Sequence, residues 1–367
     1  MNNTSREVPV NDFFTLTPGG GGLQSKTSPA TTTLVNLNAW GEPPSLASRH
    51  SALTKSLIAE LPDIVTLQEL YSPYSRRVVD EKLGERYHLH HAYHPMPSFS
   101  AASHLPALIV YLLLWQFFPN SNVKLAAILL VPLFILIVWN LVAKLITHSI
   151  YKYSGPGWTN FMGGLIAFEK SKFPTSEILS INPFPHSIRG YVHVPATLGH
   201  TVGSYLFMFI QHTFFRPGFT VASATDTSGR RILVVNAHLI IGVPNPCRAM
   251  QVSSIVKAVE SVAEDHDAIV IAGDFNATKK QDPEAFEILE RAGFVDSLEL
   301  MGGSDDEKWH TWSYRNQFVP KEEEEGRIDY VFVRREKGWT SQCGGHEIAF
   351  GEKGREVSDH YGLRVEF

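Results

Sequence analysis

The chain has 367 residues, 44% of them hydrophobic and 19% charged, with a formal net charge of −5. That length and apolar content suffice for one large buried core, which excludes a chain disordered throughout. The acidic balance weighs against nucleic acid as the main partner, and the two cysteines, Cys247 and Cys343, make neither a disulfide framework nor a zinc set.

Residues 1–30 are polar and Gly-rich, carry no signal-peptide pattern and read as a disordered leader. Order is expected from Thr31. Residues 33–40 read as a strand, 45–60 as a helix with Leu46, Leu53, Leu57 and Ile58 on one face, and 63–69 as a second buried strand. Helix-like and strand-like runs alternate over 75–93. Further strands are expected at 161–168 and 177–181, a hairpin at 219–225 and 231–238, and strands at 268–274, 328–333, 347–350 and 363–367. Helices are expected over 245–264 and 283–292. Residues 321–325 are a charged loop.

The pattern is interrupted once. Residues 99–118 and 123–146 are two apolar runs joined by a short Pro-Asn-Ser-Asn turn. A bilayer core of about 30 Å needs about 20 apolar residues per helix. Residues 129–139 are apolar all round rather than on one face. The segment 99–150 is therefore expected to be a membrane-inserted helical hairpin; the other reading is a buried helical pair. Arg76, Arg77, Lys82, Arg86, Lys144 and Lys152 flank it, against Lys124 alone in the turn, which puts the catalytic part in the cytosol. A shorter apolar run, 202–215, contains Gln211 and His212 and suits an interfacial segment. The division is thus a leader (1–30), one domain in two pieces (31–98 and 156–367) and the insert (99–150). Strands outnumber helices and hairpins occur, so two mixed sheets flanked by helices fit better than one parallel sheet.

Polar groups recur at the ends of apolar strands: Asn38, Glu69, His238, Asp274 with Asn276, Asp329, and Asp359-His360. An unpaired carboxylate on a buried strand such as that of Glu69 is costly, and a hard cation such as Mg²⁺ would compensate it. In an extended chain Asp274 and Asn276 point to one side, where one activates water and the other holds a phosphate oxygen. His238 and His360 can donate to a phosphoryl group in the transition state, and Asp329 can fix a histidine tautomer. Each has a plainer reading: a salt-bridged strand end for Glu69, an Asx turn for Asp274–Asn276, a core histidine for His238, a surface pair for Asp359-His360.

In combination, Gln68-Glu69, Gly273-Asp274-Phe275-Asn276, Arg327-Ile328-Asp329-Tyr330 and Ser358-Asp359-His360 resemble the endonuclease/exonuclease/phosphatase superfamily, over roughly residues 33–367. Asn36-Leu37-Asn38-Ala39-Trp40-Gly41, and Asn236-Ala237-His238-Leu239 with Arg248 and Gln251, are most similar to neutral sphingomyelinases. The resemblance implies a four-layer αββα sandwich of two mixed sheets, an α/β (α+β) fold. It also implies a Mg²⁺-dependent phosphodiesterase, Mn²⁺ being the alternative ion. It implies Glu69, Asn38 and Asp359 at the metal, Asn38 being preferred to Asn36, which points the same way. Asp274 would act on the attacking water, Asn276 hold the scissile phosphate, His238 stabilise the transition state, and His360, oriented by Asp329, contact the phosphoryl group. The hairpin, which soluble members lack inside the domain, points to a phospholipid substrate at a bilayer; the alternatives are a phosphoinositide phosphatase or nuclease of the same superfamily, or a non-catalytic membrane scaffold.

Overall fold

The computed structural model describes residues 31–41, 46–70, 73–93, 160–184, 218–241, 245–336, 344–351 and 356–367. The expected leader, the hairpin at 99–150 and the run at 202–215 lie outside these residues. Among the described residues no helix is long and apolar enough to cross a membrane.

The first sheet holds β1 (Thr33–Asn38), β2 (Ile64–Gln68), β3 (Tyr87–Tyr93), β4 (Asn160–Glu169), β11 (Gly345–Ala349) and β12 (Gly362–Glu366), in the order β11-β12-β1-β2-β4-β3. The second holds β5 (Thr175–Pro183), β6 (Gly218–Thr225), β7 (Arg231–His238), β8 (Ala268–Asp274), β9 (Val295–Asp296) and β10 (Asp329–Arg335), in the order β5-β6-β7-β8-β10-β9. Each has one parallel pair at its centre, β1 with β2 and β7 with β8, and antiparallel pairs on both sides. Both sheets are mixed, as expected.

Three apolar clusters define four layers. Leu34, Ile64, Ile166 and Phe168 of the first sheet meet Ala222, Val234, Val270 and Val331 of the second. The outer face of the first sheet (Val35, Leu37, Val65, Leu67) is covered by α1 (Leu46–Glu60) through Leu53 and Leu57, and by α2 (Pro73–Leu83) through Val79 and Leu83. The outer face of the second is covered by α3 (Asn245–Glu260) through Val252, Ile255 and Val259, and by α4 (Pro283–Arg291) through Phe286 and Leu289. Central strands buried on both faces explain why they read as continuous apolar runs rather than alternations.

Helix ends follow local chemistry. α1 stops where Leu61 turns left-handed (φ 46°), its N–H still bonded to the Leu57 carbonyl, before Pro62, which has no N–H to continue. The helix expected over 245–264 ends at Glu260, and Ala263–Asp265 is a separate 3₁₀ turn. The two-residue β9 and the one-turn α5 (Ser297–Leu300), capped by the Asp296 carboxylate on the Leu298 N–H at 3.0 Å, are too short for periodicity to reveal.

Candidate active site

The parallel pairs deliver the site. β1 and β2 run in register with Asn38 opposite Gln68, so Asn38 and Glu69 finish side by side. β7 and β8 place His238 opposite Asp274, and antiparallel β10 begins with Asp329 opposite the same Asp274. Five strand ends therefore meet at one edge. Two glycines permit the close approach. A Cβ on Gly273 would lie 1.9 Å from the Ala237 carbonyl oxygen, between β7 and β8. Gly163 has φ 67°, and its Cβ would lie 2.1 Å from the Leu70 nitrogen, against the peptide that follows Glu69.

The Asn38 amide nitrogen donates to Glu69 Oε1 at 3.1 Å and to Asp274 Oδ2 at 3.0 Å, while its oxygen accepts the Trp40 N–H at 3.0 Å. Two carboxylate acceptors on one side and a backbone donor on the other fix the amide orientation. Asn38 was expected on the metal; here its oxygen is turned away from the acids and it bridges them as a donor. Asn36 is fully buried lower in β1, where its oxygen accepts from Thr66 and Gln68, both at 2.9 Å, and takes no part in the acid cluster. Gly41 N–H donates to Glu69 Oε2 at 3.3 Å.

Asp274 is the hub. Its Oδ2 lies 3.5 Å from His238 Nε2 and 3.8 Å from His360 Nε2, and its Oδ1 accepts the Asn276 N–H at 2.8 Å. That last bond is an Asx turn with Asn276 at φ 50°, so the extended pair expected from the two-residue spacing is not formed. Asn276 still faces the site, its amide donating to the Leu239 carbonyl at 2.8 Å. Burial raises the Asp274 carboxyl, with Asp329 adding to the rise. His360 Nδ1 lies 2.8 Å from Asp329 Oδ2, both side chains buried. Burial alone would lower the His360 pKa, but Asp329 and then Asp274 outweigh it and hold the imidazole well above its ordinary value. Thr311 Oγ accepts from the N–H groups of Ile328 and Asp329, each at 3.1 Å, and Trp312 stands edge-on to His360 at 5.0 Å. Asp359 is pushed up to about 6, chiefly by desolvation, with Glu69 a further cause.

Asn38, Glu69, His238, Asp274, Asp329 and His360 thus lie in one cluster, with Asn276 beside it. Among the described residues, Asp274, Asp329 and His360 form the tightest set of potential metal donors, within 4.8 Å of one another. His360 is held well above its ordinary pKa by Asp329 and Asp274, and a protonated imidazole is no ligand for a cation. The opposite end of the cluster fits a divalent ion better. Glu69 and Asp274 share a single amide donor, and Asp359 is destabilised in part by Glu69. Such concentrated carboxylate oxygen is the donor chemistry of Mg²⁺ or Mn²⁺.

Several residues of the sequence motifs, given no role there, support the site. Gln68 Nε2 donates to Asn36 at 2.9 Å and to Asn236 at 2.7 Å, and the Asn236 amide donates to the carbonyls of Leu67 at 2.8 Å and Leu165 at 3.0 Å. This buried network stitches the two sheets together directly beneath Glu69 and His238. Paired amides in strands that otherwise read as fully apolar were the available signal. Arg248 Nε donates to the buried Asp282 at 2.7 Å, and Gln251 accepts the Ile240 N–H at 3.2 Å, steadying the turn after His238.

The endonuclease/exonuclease/phosphatase family model matches residues 35–360. No curated protein matches the chain. Solved structures do. TDP2 of D. rerio, complexed with a single-strand DNA product, superposes with a TM-score of 0.57 at 17% identity, over 92% of this chain and 99% of that one. An endonuclease/exonuclease/phosphatase from Bacteroides vulgatus gives 0.55 at 16%, over 92% and 98%. Truncated TDP2 of Caenorhabditis elegans gives 0.54 at 14%, over 92% and 97%. At such identities the superpositions speak to the fold. With the family model spanning nearly the whole chain, the protein belongs to the endonuclease/exonuclease/phosphatase family and is a metal-dependent phosphoric ester hydrolase.

Proposed function

We propose that this protein is a phosphodiesterase that hydrolyses the head group of a membrane phospholipid, in the manner of a sphingomyelinase, from the cytosolic side of a bilayer. One topological observation carries the lipid part. Tyr93 of β3 pairs with Asn160 of β4, and Pro183 of β5 pairs with Gly218 of β6. Both pairs lie at the edge of the site, since Gly163 packs on the Glu69–Leu70 peptide and Phe219 pairs with Ala237, next to His238. The described chain breaks off and resumes at these two pairs, and the apolar runs 99–146 and 202–215 fall in sequence between their members. Runs of that composition anchored in a bilayer would hold the site against lipid head groups and raise their effective concentration.

Enzymes of the family use Mg²⁺ or Mn²⁺. Glu69 and Asp359 would hold the ion, with Asn38 tying Glu69 to Asp274. When bound it supplies Lewis-acid polarisation of a phosphoryl oxygen. The other work falls to side chains. Asp274, its carboxyl raised by burial, takes a proton from the attacking water. His360, kept protonated by Asp329 and Asp274, donates to the phosphoryl oxygen that gains charge. His238 Nε2 faces the same carboxylate and donates from the second sheet. Asn276 has one amide hydrogen on Leu239 and a second for the phosphate.

A nuclease is the second reading, favoured by the likeness to a TDP2 solved with single-strand DNA product. The discriminating experiment compares kcat/KM, with Mg²⁺, for sphingomyelin and phosphatidylcholine in mixed micelles against a single-stranded oligonucleotide. Preference for a lipid supports the proposal. Preference for the oligonucleotide moves the protein to the nuclease branch and refutes the lipid part.

A further inference from the structure

Arg49 lies in the first turn of α1, on the outer layer, yet its side chain is 4% exposed. It is spent on backbone: Nη1 donates to the Val357 carbonyl at 3.1 Å and to that of Ala39 at 3.5 Å, and Nη2 to that of Trp40 at 3.0 Å. The Trp40 ring covers the guanidinium at 4.2 Å, and Phe318 flanks it at 5.9 Å. Burying a guanidinium costs several kcal/mol where hydrogen bonds do not replace water; here three carbonyls and an aromatic face do so.

Those carbonyls belong to two segments more than 300 positions apart. The first, Asn38–Gly41, carries the amide that bridges Glu69 and Asp274 and the N–H that meets Glu69 Oε2. Its Trp40 sits at φ 47°, a conformation an L residue holds only when its surroundings enforce it. The second runs into Ser358-Asp359-His360, and Ser358 Oγ closes the junction on the Asn38 carbonyl at 2.6 Å. The neighbouring His50 also takes the Ala39 carbonyl, at 2.9 Å through Nε2, and burial lowers it to about 4, so it serves there as a neutral donor. Arg49 brings a fixed positive charge that Asp359 and Glu69 both feel.

We infer that Arg49 is a positioning residue for the metal end of the site: it clamps the Asn38–Gly41 turn to the Val357–Asp359 segment, so that Glu69 and Asp359 converge on one ion, and its charge offsets their repulsion. This rests on the hydrolase reading above.

The test is Mn²⁺ binding by calorimetry to full-length native protein, Arg49→Lys and Arg49→Met, with hydrolysis of bis(p-nitrophenyl) phosphate and thermal unfolding beside it. A lysine keeps the charge but cannot span three carbonyls. Both variants should bind Mn²⁺ about 10–100-fold more weakly and lose kcat in similar measure, the scale typical of groups that orient metal ligands. Lysine should retain more affinity than methionine. If the methionine variant does not fold, the lysine variant carries the test. Native affinity and kcat in Arg49→Lys, whether or not its unfolding temperature falls, would overturn the inference. Native protein that binds no Mn²⁺ would overturn the metal assignment itself.

Discussion

Replacing Asp329 with asparagine changes one atom of the site and removes one charge. The native carboxylate lies 2.8 Å from His360 Nδ1, with both side chains buried, so the bond is a charge-assisted one out of water's reach. Such bonds contribute about 1.5–3 kcal/mol, equivalent to about 1–2 pKa units. In Asp329→Asn, the metal-free protein should therefore titrate His360 about 1–2 pH units lower. The sign for stability follows. His360 is raised above its ordinary 6.5 in the folded state, so its stabilisation is complete below that value and is lost as pH rises through the folded pKa. The variant should be less stable than native on the acid side, and the gap should narrow on the alkaline side. Because the protonated form of His360 loses its oriented partner, kcat should fall by up to about 10²–10³-fold, as for loss of one transition-state donor. Histidine proton NMR, urea unfolding across that pH range and turnover of bis(p-nitrophenyl) phosphate read the three effects. An unmoved His360 titration with native kcat would refute the reasoning.

Gly163→Ala should both destabilise and inactivate. The new methyl would sit 2.1 Å from the Leu70 nitrogen and 2.5 Å from the Glu69 carbonyl carbon, both backbone, so the strand end that carries Glu69 must move. A loss of about 1–3 kcal/mol in urea unfolding, with weakened Mn²⁺ binding, is expected. Arg327→Met removes the cation that holds buried Asp296 through bonds of 3.0 and 2.6 Å. It should cost about 1–3 kcal/mol, because buried Asp296 loses both bonds while keeping Lys279 Nζ at 3.2 Å. Burial works to raise the Asp296 carboxyl, but Arg327 more than offsets it and holds it below 3.8. The native advantage is therefore present above that pH and shrinks as pH falls through the folded value, which acid unfolding of both proteins would show. Asn236→Leu breaks the amide stitch and leaves Gln68 without its 2.7 Å partner; it should lower kcat through the spacing of Glu69 and His238, with KM for a soluble diester less affected.

The site was legible in the sequence because Glu69, His238, Asp274 and Asp329 each end or begin an apolar strand in a short recognisable segment. Parallel registers at the centre of each sheet, antiparallel β10 and the amide network between the sheets then bring those ends together. What was not legible depends on backbone partners and backbone angles. Arg49 draws no notice in the sequence, since its three carbonyl acceptors carry no side-chain signature. Asn276 reads as the same-side neighbour of Asp274 in a strand, but β8 ends at Asp274 and a left-handed residue makes the turn. The resemblance puts Asn38 at the metal, while the Trp40 N–H and the two carboxylates together decide which end of its amide faces the acids. Of the architecture, the long strands and helices were apparent, while β9 and α5 carry too few residues to show a period.

The central claim is that this edge of the sandwich cleaves a lipid phosphodiester with a divalent ion and Asp274. The most direct measurement is a ³¹P NMR spectrum of sphingomyelin micelles incubated with the full chain and Mg²⁺. The account predicts that the diester resonance gives way to the phosphocholine monoester, and that chelator or Asp274→Ala abolishes the change. Orthophosphate as the first product, or an undiminished monoester signal from Asp274→Ala, would contradict it.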